Sequence, residues 1–198
     1  MEPSLSMNGT EATSPGPAER GETLLRIARQ SIAAALGLDT VSGDYDPPWL
    51  REPGATFVTL KRRGDLRGCI GSIEARRPLG EDVRHNALAA AFDDPRFPPL
   101  QPREWPDVSL EISLLSPPEP LACASEAEAL RALRPGIDGV VFEYGGNRST
   151  FLPQVWEQLP EPRELLAQLR LKAGLPPDFW APEVRLSRYG VQKWQEGE

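Results

Sequence analysis

ATFVTLKRRGDLRGCIGSI, residues 55–73, places two β-forming runs on either side of a turn. Ala55 to Lys61 is β-branched and aromatic, Arg63-Gly64-Asp65 has turn chemistry, and Leu66 to Ile73 returns as a second strand, so the stretch predicts an antiparallel hairpin. Working outward, Val108, Leu110, Ile112 and Leu114 alternate with Ser109, Glu111 and Ser113, a strand with one core face and one polar face. Gly139 to Tyr144, the Gly145-Gly146-Asn147 turn and Ser149 to Leu152 predict a second hairpin, and Val184 to Trp194 predicts one last strand.

Helical spacing lies between these strands. Leu25, Ala28, Ile32 and Leu36 recur at steps of three and four up to Gly37, and Leu79, Val83, Ala87 and Ala90 mark a second helix that must stop at Asp94-Pro95. Ser125 and Glu128 form a capping-box pair for a short helix closing at Pro135-Gly136, while Leu165, Leu166, Leu169 and Ala173 give a helix ended by Gly174. Hairpins and helices interleave without repeated strand-helix-strand units. The expected class is therefore α+β, a mainly antiparallel β-sheet flanked by helices in a single compact domain, with room for a small subdomain. Residues 1–18, rich in Ser, Thr, Pro, Gly and Glu, are expected to form a disordered leader, and residues 19–198 the domain.

Composition narrows the chemistry. The 22 prolines in 198 residues are about twice the usual share, but the hydrophobic fraction of 39% is ordinary, so most of them belong to rigid connections. One histidine and two cysteines cannot make a Cys/His zinc site or a two-His-one-carboxylate iron site, and no cofactor or bound metal is expected. Two distant cysteines, no apolar run of membrane length and no signal-like start favour a cytoplasmic protein away from membranes. A net charge of −7 argues against bulk binding to nucleic acid.

Leu66-Arg67-Gly68-Cys69-Ile70-Gly71 is the most informative segment. Strand alternation puts Leu66, Gly68 and Ile70 on one face and Arg67 with Cys69 on the other. A guanidinium beside a thiol favours the nucleophilic thiolate, so Cys69 is a candidate nucleophile, with Arg67 stabilising the thiolate or an anionic group. The competing reading makes Cys69 a small buried hydrophobe and the glycines points of close packing. Glu111, on the polar face of its strand, is a candidate neighbour if the strands align. Asp94 and Arg96 end a helix, where Arg96 either locks the corner on a carboxylate or reaches a ligand.

His85 lies off the apolar face of its helix, flanked by Glu81 and Asp82, and reads as a solvated histidine, which removes Cys-His and Ser-His-Asp arrangements. Cys123, just ahead of a helix cap, needs only a packing role, and Arg63-Gly64-Asp65 only a turn role. Between Lys61 and Arg77 six basic residues stand against two acidic ones, a local excess of positive charge that suits a phosphate, a carboxylate or an acidic partner as well as a solvated hairpin.

LRGCIG, followed in order by Asp94-Pro95-Arg96-Phe97-Pro98-Pro99, Gly136-Ile137-Asp138-Gly139 and Phe151-Leu152-Pro153-Gln154-Val155-Trp156-Glu157, resembles the AMMECR domain family, within it the prokaryotic AmmeMemoRadiSam system protein A group. The resemblance runs from about residue 19 to the C-terminus. It implies a compact α+β domain and the company of a Memo-type protein and a radical SAM protein, but no reaction. Three functions are compared on this basis. The leading one is a component of that three-protein system acting through the Arg67/Cys69 surface on an anionic substrate or partner, with or without Cys69 as nucleophile. A non-catalytic binding or scaffold domain is the alternative. Nucleic-acid binding ranks third, because the aromatics are not interleaved with the basic run.

Overall fold

The computed structural model describes residues 15–38 and 47–197. Its first half is a sheet backed by two helices. Strand β1 (Pro53–Arg62) pairs antiparallel with β2 (Asp65–Gly71) through the expected hairpin, and β3 (Arg77–Pro78) joins the start of β1. Strand β4 (Val108–Leu115) lies on the other side of β1, and the last strand of the chain, β9 (Val191–Gln195), pairs with β4, giving the order β2-β1-β4-β9. Helices α1 (Pro17–Ala35) and α2 (Leu79–Phe92) cover one face, where Leu24, Ile32, Leu50, Val58, Leu60, Val83, Leu110 and Ile112 are buried together.

Both helices obey the spacing that predicts them, with one shift. In α2, Leu79, Val83, Ala87 and Ala90 are all buried, and the helix ends just before Asp94-Pro95. In α1 the buried stripe runs through Gly21, Leu24, Ile27, Ala28 and Ile32, while Leu25 and Leu36 are only partly covered. A side chain at position 21 would collide with the Trp194 ring, so the bare backbone of Gly21 seats α1 against β9 and sets its rotation. Of the expected leader, residues 1–14 lie outside the described residues. Helix α1 itself starts at Pro17, whose fixed φ and missing N–H suit a first turn.

The second half builds a smaller sheet, ordered β5-β8-β6-β7, from β5 (Glu119–Pro120), β8 (Arg185–Tyr189), β6 (Gly139–Tyr144) and β7 (Asn147–Phe151). Helices α3 (Glu126–Ala132) and α4 (Pro162–Lys172) pack on it around Phe142, Trp156, Leu165, Leu166 and Leu169. A third, small cluster of Ala55, Leu115, Val141 and Tyr189 joins the two sheets.

Two expectations are corrected at that junction. The run Val184 to Trp194 is not one strand: β8 and β9 belong to different sheets, and the chain switches between them at Gly190. Gly190 is pinned there, its N–H donating to Ser116 Oγ at 2.9 Å and its carbonyl accepting from Ser116 N at 3.0 Å. The alternation of β4 also breaks, because Ser113 and Leu115 are buried as well as Ile112. The face expected to be polar along its length is covered at one end by the smaller sheet.

Candidate functional site

The hairpin carries a bulge that alternation cannot foresee. Leu60 pairs with Gly68 but Lys61 pairs with Leu66, so Arg67 is an extra residue and the faces of β2 exchange across it. Leu66, expected to share a face with Gly68 and Ile70, is 44% exposed. Gly68 faces α2 so closely that a Cβ there would lie 2.1 Å from the Ala90 carbonyl oxygen, and at Gly71 it would meet the Phe57 ring at 2.2 Å. Both glycines are points of close approach.

Arg67 is likewise corrected. Its guanidinium is not a neighbour displayed beside the thiol but a buried anchor, donating from Nε to Glu104 Oε1 at 3.0 Å, from Nη2 to Glu104 Oε2 at 3.1 Å, and to the Pro98 carbonyl at 2.9 Å. The hydrogen bonds from Arg67 are the main reason that the Glu104 carboxyl is pulled down to about 2. This fork ties the proline-bearing connection after α2 to the sheet edge.

Cys69 is held from the same connection. The Asp94 carboxylate accepts the Cys69 backbone N–H at 2.9 Å, and Arg96 Nη2 donates to the Cys69 carbonyl at 3.3 Å. Asp94 also accepts three hydrogen bonds from Arg96, from Nε at 2.9 Å, Nη2 at 2.7 Å and the backbone N–H at 3.1 Å. The Arg96 guanidinium first, and the Cys69 N–H after it, hold the Asp94 carboxyl well below the usual carboxylate range against the opposing effect of burial. Because β2 is an edge strand, its outward N–H and C=O would otherwise be a template for another strand. Two side chains of the Asp94-to-Pro99 motif close that template at Cys69.

The thiol itself is half-buried and accepts a hydrogen bond from Thr59 Oγ1 at 3.2 Å. Thr59 is paired on one side with Cys69 and on the other with Glu111, so the strands do align and these three residues form one row on the sheet face opposite the helices. At the usual spacing of about 4.8 Å between strands, Glu111 stands two strands from the thiol, roughly 10 Å away. Glu111 is engaged by Lys61 at 3.1 Å and approached by Lys193 at 3.9 Å. The hydroxyl at the sulfur is thus supplied by Thr59, and Arg96 sets a cation on the carbonyl of the same residue. Sequence reading missed Thr59, whose only signal is its register position opposite Cys69.

The local positive charge between Lys61 and Arg77 is discharged by carboxylates, all but Glu74 from outside that stretch. Lys61 meets Glu111, Arg62 meets Glu104 and Asp107, Arg63 meets Asp107, Arg67 meets Glu104, Arg76 meets Glu74 and Arg77 meets Asp82. Asp82, expected beside His85, points the other way. It is fully buried and accepts from Thr56 N and Oγ1 at 2.8 Å and from Ser72 Oγ at 2.7 Å, while Asn86 Nδ2 donates to it at 2.9 Å. His85 is exposed on α2, the helix that packs on the sheet face opposite the Cys69 row. Among the described residues no group of three His, Cys, Asp or Glu is placed to hold a metal ion, and no helix is long and apolar enough to cross a membrane.

The other two motifs lie together in the smaller half. Asp138 accepts from Arg134 N, Nε and Nη2, and the Asp138 carbonyl accepts from Trp156 Nε1 at 2.7 Å. Cys123 is half-buried beside these elements, and burial, with a smaller contribution from Glu128, pushes its thiol up.

A family model described as AMMECR1 matches residues 25–194. A protein of Methanothermobacter thermautotrophicus is 41% identical over 182 residues, covering 90% of this chain and 95% of the relative. One from Thermofilum pendens is 41% identical over 176 residues, 82% of this chain and 83% of the relative. The crystal structure of uncharacterized protein PH0010 from Pyrococcus horikoshii is similar with a TM-score of 0.71 at 34% identity, over 89% of this chain and 91% of that one.

Proposed function

This chain belongs to the AMMECR1 family, and on that premise we propose that it acts in the cytoplasm as one component of a three-protein system with a Memo-type and a radical SAM protein, through the sheet face that presents Cys69. The observation that carries this reading is the fixing of one cysteine from three directions: Asp94 on its N–H, Arg96 on its carbonyl and Thr59 on its sulfur. A cysteine needed only for packing does not require its backbone to be gripped by an ion pair, whereas a thiol offered to a substrate or partner does need a fixed position. Thr59 donates to the sulfur itself, and Arg96 adds a cation at the carbonyl of the same residue.

Iodoacetamide labelling over a pH series tests the thiol. Rapid labelling of Cys69, slowed about threefold or more in Thr59→Val and Arg96→Ala, together with loss of function in Cys69→Ser, supports nucleophilic use. Ordinary labelling with a fully functional Cys69→Ser rejects it.

A second reading, docking without covalent chemistry, is favoured by one observation: the acid in the row, Glu111, is engaged by Lys61 and approached by Lys193, and the exposed His85 lies on the helix behind the sheet. Neither is placed as a base for the thiol. Co-purification with the Memo-type or radical SAM protein, weakened by Leu66→Asp and unaffected by Cys69→Ser, selects this reading. A chain that associates with neither protein rejects both readings of the partnership.

A further inference from the structure

Between the two sheets, where Gly190 hands the chain from one to the other, lies a cavity of about 600 Å³. That is within the range of small-molecule sites, roughly 300 to 1,000 Å³, and such sites favour the junction of two structural units. Its walls include Trp49, Ile73, Leu115 and Val191 on the apolar side, and the cations Arg20 and Arg148 with the carboxylates Glu52 and Glu74 on the polar side. Ile73 is 40% exposed there, a large apolar side chain left uncovered at the mouth of a cavity.

The two arginines differ. Arg148 is engaged by Glu74 and by Glu143 at 3.4 Å. Arg20, in the first turns of α1, makes no ion pair with a described residue; its guanidinium stacks on the Trp49 ring, 5.1 Å from the centroid. Trp49 is more than nine-tenths buried, and its Nε1–H has no acceptor, nor does the buried Nε–H of Arg20. Two neighbouring N–H donors without acceptors are unusual in a folded protein, where buried polar groups nearly always find a partner. Both N–H groups are enclosed, so the group offered to the cavity is the Arg20 charge, which no described carboxylate neutralises and which calls for an anion beside Trp49. In the hairpin, where the sequence concentrates positive charge, Arg62 Nε and Arg67 Nη1 are also buried without acceptors, but both guanidinium groups are already paired with Glu104, as Arg20 is not with any described carboxylate.

We propose that this cavity binds a small organic anion, its acid group received by Arg20 beside Trp49 and its apolar body lying against Ile73 and Val191. The site is distinct from the Cys69 row, and its test does not depend on the partnership proposed above.

The probe is 8-anilinonaphthalene-1-sulfonate, which joins one sulfonate to a flat apolar body, compared with its neutral relative N-phenyl-1-naphthylamine. The full chain is expected to bind the sulfonate saturably at one site. Arg20→Gln should weaken that binding about tenfold or more and leave the neutral relative within about twofold, a difference only an anion contact produces. Ile73→Trp, which fills the cavity, should weaken both. In spectra of the unaltered protein, the indole N–H resonance of Trp49, identified by its loss in Trp49→Phe, should move as the sulfonate is added. Non-saturable binding, equal affinity in Arg20→Gln, or a Trp49 resonance that stays still would each overturn the proposal.

Discussion

Two corners of the molecule use the same pair of residues to different ends. At the large sheet Asp94 holds Arg96, and in the smaller half Asp138 holds Arg134; both aspartates are buried, and both arginine side chains are 53% exposed. Asp138 closes on its own turn, its carboxylate taking the backbone and side-chain donors of Arg134, and its link to the neighbouring motif passes through its carbonyl to Trp156. Asp94 reaches 25 residues back along the chain to the N–H of Cys69, and its arginine continues to the Cys69 carbonyl. One aspartate locks a turn; the other positions a thiol. The difference lies not in the pair but in whether an edge strand with open N–H and C=O groups runs past it.

The largest effect should come from the support beneath the first corner. Glu104→Gln leaves the Arg67 guanidinium buried against a neutral partner, and breaking such a pair costs about 3 kcal/mol of stability, which a denaturant midpoint would show. The corners themselves come next. Asp94→Ala and Asp138→Ala should each cost about 1 kcal/mol or more, since both leave a partly buried backbone donor without its charged acceptor, but only Asp94→Ala should change the labelling rate of Cys69. Equal changes in labelling from both variants would break the comparison.

Acid should act on the first corner and its support. The folded-state carboxyls of Glu104 and Asp94 are both lowered, so their contribution is fully present above the unfolded carboxyl range near pH 4 and is lost as pH falls through the folded values, about 2 for Glu104. Acid titration of the wild type should therefore erode the stability given by the Cys69 corner progressively below about pH 4 and remove it only as pH reaches the lowered folded values, and Glu104→Gln should lose part of that dependence. The smallest effect concerns the two thiols. Burial raises Cys123, so near neutral pH it should label more slowly than Cys69 in the same molecule; the reverse order would remove the distinction between a packing thiol and a presented one.

Much of the fold is legible in the residues, because the two hairpins, the capped helix at Ser125 and the alanine face of α2 are each specified by local pattern. The site is less so. Leu66 and Arg67 are misplaced by a single inserted residue, since with a period of two one extra residue exchanges the faces of everything before it. The six cations of the hairpin region look like an anion-binding patch until the chain returns Glu104, Asp107 and Glu111 to four of them from more than 25 residues away, Arg76 and Arg77 being met by the nearby Glu74 and Asp82. Asp82 reads as a partner of His85 at helical spacing and is instead turned inward by the amide, hydroxyl and serine donors that the sheet brings beneath α2.

The amino-acid order alone settled the class of fold, the family and the small set of residues worth asking about, because periodicity, turn chemistry and the four motifs act over a few residues each. Which cation stands beside Cys69, why Thr59 matters, and where a cavity opens between the sheets at Gly190 came from long-range pairing. A bulge, an edge strand and a switch between sheets are relations among distant segments, and their energies of contact exist only once those segments meet.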